Sequence, residues 1–179
     1  MPSSSAPLPW PVELPTDRLV LRPVTAGDVP AVSRLWTDPE VRRHLGGPVA
    51  PETVELRERG CVGFPGLLAV VSRDGDTVLG TVSLDPDARD DGRTEVSYSF
   101  LPEHWGRGYA REAVARVVSW ALDQPGPEPR TVIAVTQEAN ARSRRLLASV
   151  GMSHTGSFVE YDAPQVLYAA VRDGAHVAS

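Results

Sequence analysis

The spacing of hydrophobic and polar positions changes several times along the chain, and each change marks an element. Arg18 to Pro23 is a short apolar run closed by proline, which predicts a first strand. Thr25 and Asp28 have the spacing of a capping box, ahead of a helical stripe of Val29, Val32, Leu35 and Trp36. Pro30 sits early in that helix, where its missing N–H costs little. Asp38-Pro39 predicts a second, short helix through His44, and Pro51 a third through about Arg59. Gly66 to Ser72 and Thr77 to Leu84 read as strands joined around Arg73-Asp74-Gly75-Asp76, and Pro86 to Gly92 as a surface loop. Thr94 to Leu101 alternates: Val96, Tyr98 and Phe100 face one way, Glu95, Ser97 and Ser99 the other.

From Ala110 the period becomes helical, with Ala113, Val114, Val117, Val118, Ala121 and Leu122 on one stripe. Gln124-Pro125-Gly126-Pro127-Glu128-Pro129 ends that helix, and Thr131 to Val135 is a β-branched run expected to be a buried strand. Asn140 can cap a last helix carrying Leu146, Leu147 and Val150, with Gly151 just past its end. Ser153 to Tyr161 and Gln165 to Val171 form a final strand pair around Asp162-Ala163-Pro164. Hairpins mixed with helical crossovers predict one α/β domain, over residues 16–173, built on a mixed sheet of about seven strands. Residues 1–15 are Pro- and Ser-rich and expected to be a flexible, PPII-like arm; residues 174–179 are expected to be a tail.

Composition narrows the function. The chain has 179 residues, 41% of them apolar, enough for one core at this length. Eighteen basic residues, all arginine, stand against 23 acidic ones, and the net charge of -5 argues against a nucleic-acid surface. One cysteine, Cys61, excludes an internal disulfide and is expected to be a small buried or semi-exposed thiol and not a nucleophile. His44, His104, His154 and His176 lack metal-ligand spacing, so no metal is expected. No apolar run approaches the roughly 20 residues of a membrane span, and the opening residues do not resemble a secretory signal. The expected compartment is the cytoplasm.

The stretch that carries chemistry is Leu101-Pro102-Glu103-His104-Trp105-Gly106-Arg107-Gly108-Tyr109-Ala110-Arg111. A strand ends, two glycines follow one residue apart, and a strong helix begins at once. Glycines let the backbone approach a ligand, and the first turn of a helix leaves N–H groups without intrahelical partners. With the helix dipole this makes a phosphate site, and Arg107 and Arg111 can add charge-assisted hydrogen bonds. A Walker loop is excluded because the chain has no lysine, and a dinucleotide fingerprint because Arg111 stands where the third glycine belongs.

Trp105-Gly106-Arg107-Gly108-Tyr109-Ala110 resembles the Q/R-x-x-G-x-G/A pyrophosphate loop of the GCN5-related N-acetyltransferases (GNAT), with Trp105 in the first position. Thr16-Asp17-Arg18-Leu19-Val20-Leu21-Arg22-Pro23 resembles the opening strand of their RimJ/RimL-like branch. Asn140-Ala141-Arg142-Ser143, followed by Gly151-Met152, is similar to that branch's Asn-x-x-Ser helix and its ending. The resemblance covers roughly Thr16 to Val171. It implies a fold whose fourth and fifth strands, here Thr94 to Leu101 and Thr131 to Val135, splay apart to admit acetyl-CoA. Backbone groups at Phe100 and Leu101 would then bond the pantetheine arm, and Trp105, Gly106, Arg107, Gly108, Tyr109, Ala110 and Arg111 would hold the pyrophosphate. Asn140 would hold the arm from the other side, with Ser143 near the sulfur.

The implied reaction is direct attack of a primary amine, on a small molecule or a protein N-terminus, on the thioester in a ternary complex. An N–H near Leu101 would stabilise the oxyanion. Relatives often carry a tyrosine acid on the last helix; Leu147 holds that position, so Ser143 becomes the acid or thiolate-stabilising candidate. Glu95 is the first candidate base and Glu160 the second, with solvated carboxylates as the plain reading of both. Glu112 with Arg116 reads as a structural i,i+4 pair, Trp36 and Trp120 as core, and His104 as a solvated loop residue. Ala148 and Met152 depart from the branch's usual glutamate and phenylalanine, and the final hairpin is short. Dimers occur in the family, so a homodimer is a further expectation. The alternatives are an acyl-CoA-binding or sensing module without catalysis, and a partner-binding domain.

Overall fold

A computed structural model describes residues 8–89, 93–125 and 129–172. Residues 1–7 of the expected arm, 90–92 of the loop after Pro86, 126–128 and the 174–179 tail therefore lie outside the described residues. Within them the chain forms β1 (Leu14–Pro15), β2 (Leu19–Pro23), α1 (Val29–Thr37), α2 (Pro51–Gly60), β3 (Leu67–Ser72) and β4 (Val78–Pro86). It continues with β5 (Thr94–Phe100), α3 (Tyr109–Asp123), β6 (Arg130–Gln137), α4 (Ala141–Ser149), β7 (Ser153–Glu160) and β8 (Ala163–Arg172). The strands make one sheet in the order β1-β2-β3-β4-β5-β6-β8-β7. Only the β5–β6 neighbours are parallel among the described strands, because α3 intervenes as the crossover between them.

Helices cover both faces. The larger core lies under α3 and α4, where Ala113, Val114, Val117, Val118 and Ala121 of α3 meet Val96 and Phe100 of β5. A smaller cluster of Val24, Val32, Cys61, Ala69, Val71 and Val78 forms under α1 on the other face. Cys61 is buried, and burial pushes its thiol up from the ordinary value. This is the expected mixed α/β domain.

Three local features differ from the pattern-based reading. The first is an eighth strand: Leu14–Pro15 pairs with β2, and Leu14 is buried in the larger core. Pro15 is tolerated because β1 is an edge strand. Ahead of it Leu8, Trp10 and Val12 pack on the same core, and the Trp10 indole donates to the Gly63 carbonyl. Those three residues roof an apolar cavity of about 390 Å³ that also touches Phe64 and Trp120 and lies at the start of β5.

The second concerns Asp38-Pro39 to His44, which folds as successive turns and not as a helix. Asp38 Oδ1 accepts from the Glu40 and Val41 amides, while the Arg42 guanidinium donates to the Leu45 and Gly47 carbonyls. The Asp38 bonds cap a turn as they would a helix, but the next backbone bonds, Arg43 to Glu40 and Leu45 to Arg42, span three residues and the chain then enters left-handed Gly46 and Gly47, so no helix propagates. The third is the last hairpin, whose turn is Tyr161-Asp162, with φ of 52 and 57. Positive φ at both positions matches a two-residue type I′ turn, so Ala163 and Pro164 belong to β8.

The capping box forms as the sequence implies, but its acid has a second partner. Asp28 is 5% exposed; its carboxylate accepts from the Thr25 amide and hydroxyl and from both Arg22 Nη atoms, at 2.6 and 3.1 Å. Burial alone would raise the Asp28 pKa, yet the hydrogen bonds from Arg22 and Thr25 outweigh it and hold the group below the usual carboxylate value. Because the folded-state pKa is lowered, this stability is present above the unfolded value and lost as pH falls through the carboxylate range. Asp28→Asn is expected to lower the unfolding free energy at pH 7 by about 3 kcal/mol in urea titrations. The gap between variant and parent should narrow as the pH is brought down towards 4; a gap independent of pH would refute the linkage.

Candidate active site

The site grows out of an interruption in the sheet. Between β5 and β6 only Thr94–Val132 and Glu95–Ile133 are paired; beyond them the two strands separate. β6 keeps all eight of its residues paired with β8, and β5 stays fully paired with β4, so the opening has ordered walls. The Leu101 N–H donates to the Leu79 carbonyl at 2.9 Å, on the β4 side. Main-chain groups alternate sides along an antiparallel strand, so those of Val96, Tyr98 and Phe100 face the opening. Leu101, expected to present its amide to a ligand, therefore has that amide engaged, and Tyr98 and Phe100 are the residues whose backbone is turned to the gap.

The phosphate-type loop sits at the open end. A single 3-10 turn, Pro102–His104, leads to Trp105, whose indole Nε1 donates to the Phe100 carbonyl at 2.8 Å. Gly106 and Gly108 adopt φ of 75 and 78, the left-handed region that other residues enter only with strain, and Gly108 is the N-cap of α3. Gly106, Arg107, Gly108 and Arg111 are exposed; Tyr109 and Ala110 pack partly against the core. Arg18, from the start of β2, braces this loop from behind. Its Nη1 donates to the Arg107 carbonyl at 2.9 Å, its guanidinium lies 4.5 Å from the Tyr109 ring centre, and its Nε bonds Glu112 at 2.7 Å. Glu112 also accepts from the Thr16 hydroxyl and the Arg18 amide. The expected Glu112–Arg116 pair gives way to this bracket, and Arg116 Nε donates to the Pro15 carbonyl. Burial tends to raise the Glu112 pKa, but the bonds from Thr16 and Arg18 dominate and lower it.

The far side of the opening belongs to β6 and α4. Asn140 caps α4, its Oδ1 accepting from the Ser143 amide at 3.1 Å, which leaves the side-chain NH₂ as the group able to reach a ligand. Two contacts cross the mouth. The Arg142 guanidinium stacks 4.2 Å from the Trp105 ring centre, and the Tyr98 hydroxyl lies 2.7 Å from Ser143 Oγ. Burial pushes the Tyr98 phenol up to about 12, with the Ser143 hydrogen bond acting in the opposite sense. Leu147, the position where a tyrosine acid was expected in relatives, is fully buried in the core.

Glu95 and Glu160 are also brought together, though not as free carboxylates. Arg89 Nη1 donates to Glu95 at 2.8 Å and to Asp87 at 3.0 Å, and Nη2 donates to Glu160 at 3.2 Å. The Arg89 guanidinium also lies 5.4 Å from the Phe158 ring centre. Glu95, Ser97 and Ser99 lie on the face of β5 opposite Tyr98, so the Glu95 carboxylate and the Tyr98 hydroxyl, which meets Ser143, sit on opposite faces of that strand. The histidine reading missed His44, whose Nδ1 is 3.3 Å from Gln137 Oε1 at the end of β6; nothing in the linear spacing places it there. Tyr98 was legible only as a phenol on an otherwise apolar stripe, and Arg89 as a loop arginine.

Residues 18–153 match the family described as an acetyltransferase (GNAT) domain. The Bacillus subtilis protein named "Uncharacterized N-acetyltransferase YoaA" is 30% identical over 159 residues, 83% of this chain and 86% of that protein. Among solved structures, a GNAT-family acetyltransferase from Bacillus anthracis superimposes with a TM-score of 0.78 at 19% identity, covering 89% of this chain and 98% of the other. A ribosomal-protein-S5-alanine acetyltransferase from Vibrio fischeri gives a TM-score of 0.65 at 20% identity, over 90% and 97% of the two chains. At those identities the superpositions speak for the fold. No helix among the described residues is long and apolar enough to cross a membrane.

The bracket behind the loop can be tested without any ligand. Glu112→Gln is expected to lower the unfolding free energy by about 1–2 kcal/mol and to raise amide exchange between Trp105 and Ala110. Unchanged exchange in that segment would mean the loop holds its shape unaided.

Proposed function

This chain belongs to the GNAT acetyltransferase family, and on that premise we propose that it is a cytoplasmic enzyme moving an acetyl group from acetyl-CoA to a primary amine. The observation that carries the reading is the parting of β5 and β6 beside a helix start with two left-handed glycines. The residues present fit coenzyme A. Exposed Gly106, Arg107, Gly108 and Arg111 at the N-terminus of α3 suit a diphosphate. The main chain of Tyr98 and Phe100, with the Asn140 side chain opposite, suits the amide-rich pantetheine arm. When bound, the group supplies an activated thioester carbonyl.

The chain's own residues divide the remaining work by face. Ser143, on the α4 side, would lie beside the sulfur of a bound coenzyme A, where its hydroxyl would donate a hydrogen bond to the thiolate. The acceptor enters from the Glu95 face, and holding both reactants in one cleft can supply about 7–11 kcal/mol of the barrier reduction. Backbone N–H groups of Tyr98 and Phe100 would stabilise the oxyanion, the role first expected near Leu101.

The acceptor follows from the state of the bases. With Glu95 and Glu160 both engaged by Arg89, an amine already partly neutral at neutral pH suits the site. An α-amino group, with a pKa of about 7.7–8.0, meets that demand better than a lysine amine near 10.4. We therefore favour a protein or peptide N-terminus, in keeping with a RimJ/RimL-like branch. The Thr16 to Pro23 segment, the Asn140-x-x-Ser143 helix start and the fold shared with the S5-alanine enzyme support this choice.

Thiol release from acetyl-CoA with a panel of amines, N-terminal peptides included, tests the proposal. Turnover should be greatest with peptides bearing a free α-amino group. Coenzyme A binding without release on any amine would instead favour the sensing module. Ser143→Ala is expected to lower kcat about tenfold to a hundredfold with little change in coenzyme A affinity. Gly108→Val, forcing a branched side chain into a left-handed conformation, should raise the coenzyme A dissociation constant at least about tenfold by calorimetry. Unchanged affinity would remove the loop from the cofactor site.

A further inference from the structure

The Tyr98–Ser143 contact has a polarity, and the polarity has a use. Tyr98 projects from β5 and Ser143 from the first turn of α4, so their 2.7 Å hydrogen bond joins opposite walls of the opening. A phenol is the more acidic hydroxyl and the weaker acceptor, so Tyr98 donates and Ser143 Oγ accepts. Ser143 then keeps its own proton for a third atom. We infer that Tyr98 is a positioning residue, whose O–H fixes the rotor of Ser143 so that the serine proton points into the opening, at the sulfur of coenzyme A. This rests on the proposed placement of Ser143 beside that sulfur.

Nothing in the role requires Tyr98 to ionise. The amine lone pair forms the new C–N bond, the C–S bond breaks with its electron pair on sulfur, and the proton lost by nitrogen goes to water. Ser143 only donates a hydrogen bond to the thiolate. Full transfer from a phenol held at about 12 to a thiolate, a weaker base than that phenolate, would be unfavourable. Burial therefore keeps Tyr98 a donor throughout the working pH range. The same arrangement accounts for Leu147: with the hydroxyl pair spanning the opening, the α4 position one turn further on is free to be core.

Titration of the coenzyme A thiol in its complex with the full chain, followed by thiolate absorbance, provides the test. In the parent protein the bound thiol should titrate below the midpoint of free coenzyme A measured under the same conditions. Tyr98→Phe should move that midpoint up by about one pH unit, Ser143→Ala by at least as much, and the double variant no further than Ser143→Ala. Coenzyme A affinity and thermal midpoint should stay within a factor of about two and a few degrees of the parent, which a packing defect would not allow. If coenzyme A binds and Tyr98→Phe titrates like the parent, or if its effect persists in full on the Ser143→Ala background, the positioning role is wrong. If coenzyme A does not bind at all, the functional reading fails first and takes this inference with it.

Discussion

A β-strand that loses its neighbour must still satisfy its main chain, and this requirement organises the molecule. β5 is bonded along its full length to β4, but after Glu95 it has no pairing with β6. The backbone turned to that side needs water, a side chain or a ligand. Trp105 meets part of the demand by donating to the Phe100 carbonyl, and in doing so fixes where the glycine loop leaves the strand. The rest of the opening is kept from closing by what surrounds it. β6 is committed to β8, and α3 and α4 are packed in the core on one face.

Much of this was legible because it depends on local chemistry. The 3.6-residue stripe of α3 and the alternation of Thr94 to Phe100 appear where the pattern puts them, since burial of one face sets both. The Gly106-Arg107-Gly108 loop was readable because positive φ at a helix start is costly for other residues. What escaped depends on distant partners. Pro15 looked incompatible with pairing until β1 proved to be an edge strand. Glu112 had a suitable arginine one turn away, yet a residue 94 positions earlier in the chain offers both a backbone and a guanidinium donor. The Asp38 segment looked helical from its proline, and its first turn is capped as one, but left-handed Gly46 and Gly47 end it before a second turn forms.

The candidate carboxylates illustrate a different limit. Glu95 and Glu160 share one arginine, although they belong to strands separated by two others in the sheet. Residue type marked both as potential bases; only the fold reveals that one guanidinium engages both. Tyr98 is the converse case, a residue counted among apolar neighbours whose hydroxyl lies at the centre of the opening.

Arg18 connects the front of the chain to a loop 89 residues later. Thr16 shares its carboxylate partner, and Pro15 receives a bond from the following turn of α3. The segment before β2 is thus part of the scaffold that shapes a remote loop, and changes made there would be felt in the shape of that loop.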